Sequence, residues 1–105
     1  MELVKEIYKI NMAFPDEEKF GLTSQIKRAA VSVPSNIAEG KGRGTNKDFL
    51  YFLYIALGSL YELQTQLELA YELGFVKNIE AIDTLSIEIE KMISALINSK
   101  KDNNE

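Results

Sequence analysis

Arg28, Asn36 and Glu39 are the residues whose types could converge on a reaction, since their spacing gives one helical stripe a guanidinium, an amide and a carboxylate. A carboxylate can act as a general base, and a guanidinium can hold an anion beside it. This trio would work without the usual partners. The 105-residue chain has no histidine and no cysteine, so the neutral-pH proton shuttle, thiolate chemistry, disulfides and the commonest metal ligands are all absent. The expectation is a protein that is not an enzyme and uses no metal or cofactor.

A second constellation lies just beyond. The run GKGRG, residues 40–44, resembles a phosphate cradle in composition, but it lacks P-loop spacing, a preceding strand and the following Ser or Thr. As a corner between two helices it makes sense, with Gly40 in the left-handed C-cap conformation and Gly42 and Gly44 permitting the reversal. Net charge is −4, yet residues 21–47 carry Lys27, Arg28, Lys41, Arg43 and Lys47 against Glu39 alone. An acidic chain therefore holds one basic segment, whose cations either stay solvated or meet phosphates.

Helices must position these groups. Leu3, Ile7, Ile10 and Phe14 mark one face of a first helix that Pro15 closes. Thr23 is placed to N-cap a second, with Ile26, Ala29, Ala30, Val33 and Ile37 inward, ending at Gly40. Pro34 cannot donate to the Ala30 carbonyl, so this helix should bend yet stay one helix, with Ser32, Ser35 and Asn36 rescuing freed backbone groups. Gln25, Arg28, Ser32, Ser35, Asn36 and Glu39 form its polar stripe, either a solvated face or one turned toward a ligand or shared channel.

Thr45 and Asp48 form a capping box for the longest pattern: Phe49, Leu53, Ala56, Leu60, Leu63, Leu67 and Ala70, ended by Gly74. A fourth helix begins near Asn78, with Ile82, Leu85, Ile89, Met92 and Leu96 inward. The expected organisation is one all-α domain over residues 1–98, an up-down four-helix bundle, followed by a disordered polar tail over 99–105. The third helix carries a further apolar stripe, Leu50, Tyr54, Leu57 and Tyr61. It is either a wide core face or an oligomer contact, and its tyrosines favour the contact. No stretch is apolar enough for a membrane span or an export leader, so a cytoplasmic location is expected.

With these residues in view, FGLTSQIKRAAVSVPSNIAEGKGRG and FLYFLYIALGSLYELQTQLELAYELGF closely resemble the bacterial four-helix-bundle family encoded within intervening sequences of 23S ribosomal RNA genes. The resemblance spans about residues 3–97. It implies a left-handed bundle assembled as a homopentamer. It also implies kinship with the accessory variability determinant of diversity-generating retroelements, a basic, pentameric nucleic-acid-binding barrel. The family has no established enzymatic activity; its members usually begin several residues before Met1, and this chain is acidic where the retroelement protein is basic. The functional expectation is an RNA-binding accessory that uses Lys27, Arg28, Lys41, Arg43 and Lys47. The alternative is a pentameric scaffold that binds another protein.

Overall fold

The computed structural model describes residues 1–11 and 21–102, at 10 and 11 the backbone alone. Four helices account for nearly all of it: α1 Glu2–Asn11, α2 Leu22–Gly42, α3 Asn46–Glu72 and α4 Glu80–Asp102. Helix α2 packs against α3, α3 against α4, α4 against α1 and α1 against α2, while the backbones of the diagonal pairs stay more than 8 Å apart between Cα atoms among the described residues. That cycle is the arrangement of a four-helix bundle with sequential neighbours. Cross-helix hydrogen bonds fix two of the directions. Ser32 meets Ser59 and Gln25 meets Gln66, while Tyr61 meets Glu90 and Gln64 meets Ser86, so α2/α3 and α3/α4 are each antiparallel.

The seam expected on α3 is the core. Leu53, Ala56, Leu60, Leu63, Leu67 and Ala70 are buried, with Phe49 half-buried at its start. They meet Leu3 and Ile7 of α1 and Ile26, Ala29, Ala30 and Val33 of α2 in one cluster. At 1.5 Å per residue, α3 is about 40 Å long and provides the surface on which the others pack. Its ends are capped as its residues dictate. The Thr45 hydroxyl accepts from the Asp48 amide at 3.1 Å. At the far end Gly74 takes φ +81, and the amides of Gly74 and Phe75 return to the carbonyls of Tyr71 and Ala70. This is the Schellman pattern, which a glycine at C′ favours.

Several expectations are corrected. Helix α2 does run unbroken across Pro34, but it starts at Leu22 after Gly21, with no side-chain cap, and it continues to Gly42 rather than ending at Gly40. Thr23 is buried inside the first turn instead of capping it. Gly40 is not the left-handed residue; Gly44 is, at φ +88. Gly40 is helical and buried because α3 crosses there: a Cβ on Gly40 would stand 2.8 Å from Phe52 Cβ and 3.0 Å from Phe49 Cδ1.

On α4 the buried series is Ile82, Ser86, Ile89, Ile93 and Ile97. Leu85 and Leu96 are half-buried beside it, and Met92 faces outward at 64% exposure. The Asn78 side chain receives the Glu80 amide at 2.8 Å, which sets the start of α4 close to expectation. The far end differs, since Ser99–Asp102 continue the helix instead of starting a disordered tail. The expected closure of α1 by Phe14 and Pro15 lies outside the described residues, as does the end of the tail.

Candidate nucleic-acid interface

The polar stripe of α2 does not gather into one reactive centre. Glu39 accepts from Arg43 Nε and lies 2.9 Å from its Nη2, one helical turn away, at half-exposed positions. Asn36 donates to the carbonyl and hydroxyl of Ser32 at 2.8 and 2.9 Å, so it does not rescue the Ala30 carbonyl freed by Pro34. Arg28 stands away from both, in a hollow with Glu62 of α3. Carboxylate, amide and guanidinium thus have three separate settings, and no converged acid–base group results.

The basic residues are divided too. Lys27 places its Nζ 4.9 Å from the centre of the Tyr8 ring, facing α1. Arg28 is on the α2–α3 groove, and both lie about 20 Å along α2 from Lys41 and Arg43 at 1.5 Å per residue. Arg43, bound to Glu39, also stacks its guanidinium 5.0 Å from the Phe52 ring. It therefore braces the end of α2 more than it reaches outward. Lys41 and Lys47 are exposed, and neither has an ion pair among the described residues.

What the corner gains is a cation from elsewhere in the chain. Lys41 and Lys100 flank a hollow of about 240 Å³ that also takes in Gly44, Thr45, Asn46 and Phe49. Lys100 Nζ sits 5.5 Å from the centre of the Phe49 ring. The hollow lies over the first turn of α3, whose aligned peptide dipoles add a partial positive charge. Lys100 is not among the expected cations because its sequence neighbours read as a polar tail. The clue is the length of α4: an antiparallel helix carried past Ser99 returns its last turn to the start of α3.

The apolar stripe of α3 is split in a similar way. Leu50 and Leu57 are half-buried and pack on the core. Tyr54 is half exposed, and with Tyr51 and Ile55 it leaves an apolar, aromatic strip on the surface. Tyr61 instead turns to α4, where its hydroxyl donates to Glu90 Oε2 at 3.3 Å. Desolvation first, and then the charge and hydrogen bond of Glu90, raise its pKa above the ordinary tyrosine value.

Among the described residues no cluster of acidic side chains could hold a metal, and no helix is long and apolar enough to cross a membrane. A sequence model of one family, described as 23S rRNA-intervening sequence protein, matches residues 1–96. No curated protein matches the chain.

Proposed function

This chain belongs to the 23S rRNA-intervening sequence protein family, and from that premise we propose that it is a non-enzymatic, homo-oligomeric RNA-binding accessory that grips phosphate at the α2–α3 corner. The observation that carries this reading is the hollow flanked by Lys41 and Lys100, two cations from separate helices that have no ion pair among the described residues and stand beside the α3 N-terminus. Lys47, exposed and nearby in the chain, adds a third charge. The assembly is a left-handed bundle repeated in a ring, most simply the pentamer implied by the resemblance, with the Tyr51–Tyr54–Ile55 strip as its contact. Repetition matters because a subunit of charge −4 repels RNA at long range, whereas a ring gathers several basic corners.

Binding of a single-stranded RNA oligomer at a series of salt concentrations tests the proposal. Each phosphate contact on a single strand contributes a slope of about −0.7 in log K against log salt, so Lys41→Ala/Lys100→Ala should flatten the slope by roughly one unit or more per engaged subunit. Arg43→Ala should change it less, because that guanidinium is committed to Glu39 and Phe52. No binding at low salt, or an unchanged slope in the double variant, would discard the RNA reading. The exposed aromatic strip on α3 would then favour a scaffold that binds another protein.

A further inference from the structure

Opposite charges separate toward opposite ends of α3 and α4. On α4, Glu80, Asp83, Glu88 and Glu90 occupy the first half with no cation, whereas Lys91, Lys100 and Lys101 oppose Asp102 alone in the second. On α3 the only cation is Lys47, near its start, and Glu62, Glu68 and Glu72 follow toward its end. Because the two helices run antiparallel, their acidic halves lie side by side and the basic corner stands at the far end.

The acidic end is grooved. Glu68 and Tyr71 of α3 face Asp83, Ile87 and Glu90 of α4 around about 410 Å³. Tyr71 and Ile87 are exposed apolar side chains within it. Glu90 is held in place, accepting from the Tyr61 hydroxyl at 3.3 Å and from Gln64 Nε2 at 3.2 Å. Glu68 and Asp83 are exposed and have no ion pair among the described residues, and Lys77 of the α3–α4 connection does not line the groove. Like charges gathered there repel one another, and a cationic surface laid over them relieves that repulsion. The basic corner is such a surface: Lys41 and Lys100 flank half-buried Phe49, so it too sets an apolar group among unpaired charges. The corner cannot reach the groove of its own subunit, because Phe49 and Glu68 stand about 28 Å apart along α3 at 1.5 Å per residue.

Both features straddle the same two helices, the corner through Phe49 and Lys100 and the groove through Glu68 and Asp83. Turning a second copy end for end therefore lays each corner over the other's groove, and one two-fold axis satisfies both contacts. We infer that two copies of this chain pair antiparallel through this face, basic corner into acidic groove, twice per pair. The contact is distinct from the apolar Tyr51–Tyr54–Ile55 strip, and it stands whether or not the corner takes RNA. It gives the corner a competing occupant: a seated copy must leave before a phosphate enters.

Light scattering of the full chain, freed of nucleic acid, tests this at about 0.01 M and about 1 M NaCl, between which the screening length falls from about 30 Å to about 3 Å. The mass should be greater at low salt, with pairing about tenfold or more weaker at high salt. An apolar contact through the strip is not weakened in this way. Lys41→Glu/Lys100→Glu puts carboxylates at both sites, and Glu68→Lys/Asp83→Lys puts ammonium groups at both. Each variant alone should lose the salt-sensitive pairing by about tenfold or more, and an equimolar mixture of the two should regain it. Glu2→Lys/Glu88→Lys makes the same charge change in the α1–α4 groove and should pair like the parent. A parental mass independent of salt would give the acidic groove to some other cationic partner and overturn the proposal. So would a corner or groove variant that pairs like the parent, a mixture no heavier than its parts, or an equal loss in the Glu2/Glu88 control.

Discussion

At the scale of single residues, two glycines inside helices have opposite meanings. Gly40 is where α2 and α3 touch, and a methyl there would meet Phe52 Cβ at 2.8 Å. Gly40→Ala should destabilise by about 1–3 kcal/mol, because overpacking outweighs the helix propensity that alanine contributes. Gly58 lies within α3, and a methyl group added there would find no neighbour within 4 Å, so Gly58→Ala should stabilise by about 0.5–1 kcal/mol. Thermal unfolding of the two variants separates them by sign; a loss in both would mean that the Gly58 face is also crowded. The sequence makes the glycines of the corner conspicuous but not their tasks. Gly40 reads as a left-handed cap because it follows the last polar–apolar repeat, and only the approach of Phe49 and Phe52 reveals a packing role. Tyr61 is another residue whose neighbour decides its behaviour. Desolvation and the Glu90 carboxylate hold its phenol protonated above the ordinary pKa of 10.0. Its raised folded value contributes stability that is complete below the unfolded pKa and is lost as pH rises through the folded one. Ultraviolet titration should show a tyrosine ionising above the ordinary value, and Glu90→Gln should bring that phenol down toward it. An unchanged curve in the variant would mean that Glu90 does not govern it.

At the scale of elements, most of the fold is legible in the sequence. The α3 seam can be read residue by residue because a strict four–three repeat admits one face only, and Thr45 and Gly74 are strong terminal signals. The register of α4 is less legible. Ile82 and Ile89 belong to two overlapping faces, one completed by Leu85, Met92 and Leu96 and the other by Ser86, Ile93 and Ile97. Hydrophobicity favours the first, but the structure uses the second. Ser86 tolerates full burial because its hydroxyl donates to the Asp83 carbonyl at 2.8 Å and accepts from Gln64 at 3.2 Å, which no periodicity rule can foresee. The register has a measurable consequence. Ile93 is 1% exposed and Met92 is 64% exposed. Ile93→Ala should therefore cost about 2–5 kcal/mol, and Met92→Ala should stay within about 0.5 kcal/mol of the parent. Chemical denaturation of the pair checks this, and equal costs would restore the first face. The candidate sites are half legible for a related reason: the α2 stripe is visible in the sequence, but Ser59, Glu62 and Gln66 become its partners only when α3 folds back antiparallel, and Lys100 joins the corner only because α4 is long enough.

At the scale of the whole molecule, charge and exposed apolar surface bear on the same question. One subunit carries −4, and the lysines of its corner cannot reverse that field at a distance. If assembly concentrates the corners, RNA binding must depend on residues that never touch RNA. Leu57 is a poor place to test this, since it is half-buried against the core and a charge there would damage folding. Tyr54 is the better choice, because it is half exposed in the strip with Tyr51 and Ile55. A carboxylate at its position in a self-contact would be desolvated without a partner, which disfavours association by several kcal/mol while leaving the bundle intact. Tyr54→Glu should therefore retain its helical circular dichroism, fall in mass by light scattering, and lose most of its RNA affinity together with most of the salt slope, although Lys41 and Lys100 are untouched. A variant that dissociates yet binds RNA with the parental slope would show that one corner suffices. A variant of unchanged mass would move the contact off this strip. Loss of mass and of salt slope together is the result that only a ring of weak sites produces, since each corner alone offers two or three phosphate contacts, worth a slope of only about −1.4 to −2.1.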